Sequence, residues 1–156
     1  MALDTGSFDM RRRLPLPPDR LWTLLTDPRH RERWGAPSEG TVLVMEREDL
    51  CVGGVERHRC GPEEAPEFSV ETRWYHLAGP ERAVFTETVE AGGVMLFTSL
   101  VTYLLEPAVT GTELGVTVAV SSFTGPEALA DIRAGWEGGL ANLDRHVADQ
   151  ALETQG

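Results

Sequence analysis

Residues 125–153 read Gly-Pro-Glu-Ala-Leu-Ala-Asp-Ile-Arg-Ala-Gly-Trp-Glu-Gly-Gly-Leu-Ala-Asn-Leu-Asp-Arg-His-Val-Ala-Asp-Gln-Ala-Leu-Glu. Leu129, Ile132, Trp136, Leu140, Leu143 and Val147 recur at three- and four-residue steps, which places them on one stripe of an α-helix. Pro126 suits the first turn, where its missing N–H costs nothing. A helix of this length runs roughly 40 Å, so its stripe needs a long apolar partner. The rest of the chain offers a meander of alternating strands. The expected fold is therefore α+β, a curved antiparallel sheet wrapped around this C-terminal helix.

Working back through the chain, Leu114, Val116, Val118 and Val120 alternate with Gly115, Thr117 and Ala119, the pattern of a strand with one covered face. Before it come strands at Thr41–Met45, Val55–Cys60, Phe68–Leu77, Arg82–Val89 and Val94–Glu106, separated by Gly- and Pro-bearing turns. Gly53-Gly54 marks a bulge or a close backbone approach. A first strand, Ser7–Leu16, has Phe8, Met10, Leu14 and Leu16 in one phase. Arg12 shares that phase, so a carboxylate partner or an open end is expected for it. Two short helices follow. One opens at Pro17-Pro18; the other spans Arg29–Trp34, with Asp27 as cap, Pro28 in its first turn, and Gly35 and Pro37 at its end. The count is about seven strands, with two short helices after the first.

At 156 residues the chain is expected to form one domain, burying roughly 70% of its unfolded surface. The N-terminus has no apolar h-region and no run has the length of a membrane span, so a cytoplasmic protein without a signal peptide is expected. The net charge of −11 argues against nucleic acid and anionic membranes as partners. All 14 basic residues are Arg. That excludes Schiff-base chemistry on a lysine, pyridoxal-phosphate anchoring and the P-loop. Cys51 and Cys60 form no CxxC motif and read as free thiols. No nucleophile elbow, GxGxxG or HExxH occurs.

Several motifs resemble the START-like (SRPBCC, helix-grip) superfamily, and within it the branch named after the activator of heat-shock protein 90 ATPase. Leu16-Pro17 with Leu21-Trp22 is similar to "APxxxVW". Thr26-Asp27-Pro28 followed by Trp34 resembles "TDPxxxxxW". Asp49 to Gly54 resembles "DxRxGG", Gly111-Thr112-Glu113-Leu114 resembles "GTxL", and Gly135-Trp136 with Leu140 and Leu143 resembles "GW…L…L". These motifs span nearly the whole chain and stand in the family's order. The resemblance implies a helix-grip (START-like, Bet v 1-like) fold with a cavity between the sheet and the last helix. Relatives hold lipids, polyketides, hormones and other apolar molecules there; some are cyclases or aromatases. Fold alone does not decide among these.

One stretch departs from the family pattern. In the strand after Gly53-Gly54, the phase that relatives fill with apolar residues holds Glu56, His58 and Cys60. Burial raises a carboxyl pKa and a neighbouring carboxylate favours imidazolium, so Glu56 and His58 are candidates for an acid–base pair; Glu87 either joins them as a third member or sits on the solvent face. The bland alternative is a polar edge, or an ion pair of Glu56 with Arg12. Trp34, Phe85, Phe97, Tyr103 and Trp136 are candidates for lining the cavity, completed by Val116, Val118 and Leu140; Trp74 reads as plain core. Tyr103 and Trp136 carry polar handles suited to orienting a ligand. Gly135, Gly138 and Gly139 each cost a helix about 1 kcal/mol relative to Ala; close packing on the sheet is the expected reason, and a bend that gates the cavity is the alternative. His30 and His146 read as surface residues.

The expected function is binding of an apolar or amphipathic small molecule, with no established reaction. The alternatives are a cyclase- or aromatase-like enzyme using Glu56 and His58, and a chaperone-associated interaction domain. No cofactor and no metal are expected, and a homodimer is left open.

Overall fold

The computed structural model describes residues 3–36 and 38–153; Pro37, expected to end the second helix, lies outside them. Strand β1 (Asp4–Leu14) is followed by α1 (Pro18–Thr26) and α2 (Pro28–Trp34). Strands β2 (Thr41–Arg47), β3 (Val55–Pro62), β4 (Phe68–Ala78), β5 (Arg82–Ala91), β6 (Val94–Ala108) and β7 (Gly111–Ser122) come next, and α3 (Glu127–Glu153) closes the chain. The seven strands form one sheet in the order β1-β7-β6-β5-β4-β3-β2, with every pair antiparallel. The first strand is displaced from the expected span, starting at Asp4 and ending at Leu14.

Local chemistry explains the junctions. The Asp27 carboxylate accepts from the backbone N–H groups of Arg29 (2.8 Å) and His30 (3.4 Å), capping α2. The Gly53-Gly54 pair is a close backbone approach: Gly53 N–H donates to the Trp74 carbonyl (2.7 Å) and the Gly54 carbonyl accepts from Trp74 N–H (3.1 Å). A Cβ on Gly54 would lie 2.1 Å from the Asp49 carbonyl oxygen, so no larger residue fits. In β4 a bulge between Trp74 and His76 breaks the alternation, and His76 accepts a bond from the Arg82 Nε–H at the surface. Arg12 in β1 is half-buried and meets Asp144 of α3 at 3.7 Å.

Helix α3 does not cover the sheet evenly. It packs against β1, β7 and α2. The apolar core lies under its C-terminal half, where Leu140, Leu143 and Val147 are fully buried among residues of α1, β1, β6 and β7. Each such side chain contributes roughly 1.5–3 kcal/mol. Two polar bonds fix this half to the α2 region: Asn142 donates to the Ala36 carbonyl (2.7 Å), and His30 Nδ1 and His146 Nε2 stand 2.9 Å apart. The expectation of two surface histidines is thus corrected. His146 is buried and His30 half-buried, because α2 and α3 meet face to face there. The N-terminal half of α3 packs through Leu129 and Ile132 and roofs a hollow with Gly135 and Trp136.

Candidate functional site

Between that half of α3 and strands β3 to β6 lies a cavity of about 440 Å³. Strand register sets its wall. Cross-strand neighbours on one face sit within side-chain reach, so residues paired across the ladders form rows. One row runs Glu56, Thr72, Glu87, Ser99 across β3, β4, β5 and β6. On one side of it lies His58, Val70, Val89, Phe97; on the other, Trp74, Phe85, Val101. Of the polar row Glu87 reaches the cavity, whose floor is otherwise largely apolar.

Aromatic rings continue from the floor to the roof. Trp74 and Phe85 have centroids 4.8 Å apart, Phe85 and Tyr103 5.1 Å, and Tyr103 and Trp136 of α3 6.4 Å. The last two pairs meet edge to face, a favourable arrangement of ring quadrupoles. Trp34, Phe68 and Phe97 complete the aromatic lining. Trp74, expected as plain core, is 1% exposed to solvent and also forms part of the wall.

The structure places His58, Cys60, Phe85, Glu87, Phe97, Tyr103, Trp34 and Trp136 on the cavity wall. Glu56 is not among the wall residues. It is fully buried behind them, accepting from Arg31 Nη1 (2.7 Å), Trp74 Nε1 (2.7 Å) and the Asp49 backbone N–H (3.1 Å). The expected acid–base pair of Glu56 and His58 is therefore corrected: the carboxylate is the counter-ion of Arg31, with its lone pairs committed. The ion-pair alternative held the right kind of bond and the wrong partner, since Arg12 faces Asp144. Val116, Val118 and Leu140 are also corrected. They are buried in the apolar core and do not line the cavity.

Arg31 is a wall residue that the sequence reading missed. It comes from a short helix rich in charge, which reads as a solvated face. It is nevertheless buried, lines the cavity, and lies with its Cζ 5.6 Å from the Trp74 ring centroid. The available signal was its spacing: Arg31 lies three residues before Trp34, on the same helix face.

Electrostatics divides the wall further. Burial first, and then the Arg31 charge, lowers the His58 pKa to about 3, so the ring is neutral rather than the expected imidazolium. Its Nδ1 is buried without a hydrogen-bond partner. Glu87 faces the hollow, enclosed by protein; burial raises its carboxyl to about 7, partly offset by Arg31. Cys60 is pushed up to about 11 by burial and by Glu87. Tyr103 is held above the usual phenol range, chiefly by burial. The buried Thr72 Oγ1 beside Glu87 in the polar row is also without a partner.

Gly139 is buried and lines the cavity, yet a Cβ there would meet nothing within 4 Å. Close packing, the expected reason, is corrected at this position: the glycine keeps space open. Among the described residues no group of three His, Cys, Asp or Glu side chains is arranged to hold a metal ion, and no helix is long and apolar enough to cross a membrane.

A seven-stranded antiparallel sheet gripping a long C-terminal helix, with two short helices after the first strand and a cavity beneath the last, is a helix-grip domain of the START-like class. The chain belongs to the family described as Activator of Hsp90 ATPase homolog 1-like protein, whose profile matches residues 15–148. Its fold is similar to the crystal structure of Mll3558 protein from Rhizobium loti, at 26% identity over 93% of this chain and 99% of that one, with a TM-score of 0.81. Protein CV1439 from Chromobacterium violaceum is similar at 24% identity, covering 90% and 96% of the two chains, with a TM-score of 0.80. An AHSA1-like protein from Aeromonas hydrophila is similar at 22% identity, covering 94% and 95%, with a TM-score of 0.75. Among curated proteins, none matches the chain significantly.

Proposed function

We propose that the chain binds an amphipathic small molecule in the cavity beneath α3. The observation that carries this reading is a hollow of about 440 Å³ whose wall is largely apolar, with several aromatic rings, and into which the buried His58 Nδ1 faces without a hydrogen-bond partner. That volume falls within the ~300–1,000 Å³ typical of small-molecule sites. An unpartnered buried polar atom costs about 1–3 kcal/mol; a ligand that bonds to it recovers that loss. Gly139 supports the same reading, because a helix that only packed would gain from a side chain there.

The test uses the neutral solvatochromic dye Nile red together with Gly139→Phe. The native protein is expected to enhance dye emission saturably. The variant, with a ring filling the space under α3, is expected to remain folded and lose the enhancement. Equal dye binding by the folded variant would place the ligand outside the cavity and sink the reading.

A second reading rests on Glu87. A carboxyl raised to about 7 is suited to giving or taking a proton near neutral pH. This keeps the proton-transfer alternative with Glu87 in the place first expected for Glu56. Turnover of a bound neutral ligand that Glu87→Gln abolishes, with binding retained, is the result expected of it.

A further inference from the structure

The charge inventory of the cavity is lopsided. Its wall holds one permanent cation, Arg31, and that cation is bonded at 2.7 Å to Glu56 behind it. Two carboxyls, Glu87 of β5 and Asp131 of α3, also line the cavity, and no described ion pair engages either. The remaining titratable wall groups are His58 and Cys60 of β3 and Tyr103 of β6. None of them supplies a positive charge at neutral pH, since His58 is neutral, with its pKa lowered to about 3.

Three classes of ligand head can be weighed against this wall. An anion shares Arg31, whose Nη1 is already bonded to Glu56, while facing Glu87 and the exposed Asp131, and each like-charge encounter disfavours it. A neutral head leaves Glu87 to keep its proton or to rely on the Arg31 charge alone. A cation pairs with Glu87 and meets the faces of the adjacent rings. In sequence and register Glu87 stands two residues from Phe85, whose ring touches those of Trp74 and Tyr103. Aromatic faces attract cations by about 0.5–2 kcal/mol, more when water is excluded. The whole chain acts in the same sense, since its net charge of −11 draws cations toward it.

We infer that the cavity selects a protonated amine carried on an aromatic or other flat apolar body, with Glu87 as the counter-ion of the ammonium group. This rests on the cavity-binding reading above and adds the chemical class of the guest. Glu87 is then the residue that determines specificity by charge, and the aromatic rings hold the body.

The experiment compares three ligands of similar size and different charge: naphthylethylamine, naphthylethanol and naphthylacetate. Binding to the native protein is measured by calorimetry at about pH 8, where Glu87 is ionised. The amine is expected to bind at least about tenfold more tightly than the alcohol, and the acetate most weakly. Glu87→Gln is expected to erase the preference by weakening the amine alone. At about pH 6, amine binding is expected to release a proton, read as a heat that varies with the ionisation enthalpy of the buffer. Alcohol binding without any preference for the amine, or tighter binding of the acetate, overturns this inference and leaves the cavity reading intact. Failure of all three to bind the native protein overturns both. The native comparison stands even if the variant does not fold.

Discussion

Glu56 is a carboxylate with no exposed surface that accepts three hydrogen bonds, from α2, β4 and the turn before β3. Its removal leaves Arg31 as a buried, uncompensated cation. Glu56→Ala is therefore expected to destabilise the fold by about 3–5 kcal/mol in urea unfolding. Arg31→Met combined with Glu56→Gln is expected to cost less than the sum of the single changes, because the double variant strands no charge. Strict additivity in that cycle would show that the pair is not coupled. Strand phase made the inward orientation of Glu56 legible, as it did for His58 and Cys60. The partner was not legible: no local pattern brings residue 31 to residue 56, and only the packing of α2 on the sheet does so.

Helix α3 serves two purposes along its length, and Gly139 separates them. C-terminal to it, Leu140, Leu143 and Val147 are packed solid; toward the N-terminus, Gly135 and Trp136 roof the cavity. Gly139→Ala is expected to raise stability by about 1 kcal/mol, since Ala is the better helix former and its methyl group meets nothing within 4 Å. A loss of stability, measured by denaturant unfolding, would mean that the glycine serves packing after all. The apolar stripe that announced the helix runs through both halves without a break. Periodicity reports which face turns inward, not whether anything lies against it, so Leu140 was expected on the cavity wall and instead lies in the core. The two histidines were misplaced for a related reason: a polar residue on a helix looks solvated until a second helix arrives.

At the scale of the whole molecule, two buried groups shape the dependence of stability on pH. His58 falls from 6.5 to about 3 on folding, so the native state refuses a proton that the unfolded chain accepts. Its contribution is present above 6.5 and is lost as pH falls toward 3. Glu87 rises from 4.5 to about 7, so the native state retains a proton that the unfolded chain releases. Its contribution is present below 4.5 and is lost as pH rises toward 7. Between 4.5 and 6.5 the two slopes oppose each other, and a shelf is expected in the melting temperature. His58→Gln is expected to tilt the shelf so that stability falls with rising pH, and Glu87→Gln to tilt it the other way. Identical profiles for native protein and both variants would refute this. Strand order, helix order and the grip of sheet on helix were legible because turns, caps and periodicity are local signals. Cavity volume and the fate of each charge depend on distances between elements far apart in the chain, where local pattern carries no information.

The vacancy at Gly139 also bears on how such domains diverge. The width of the hollow is governed there by a residue that the surrounding packing does not require. A lineage can therefore resize it through changes in a single codon, each intermediate remaining folded.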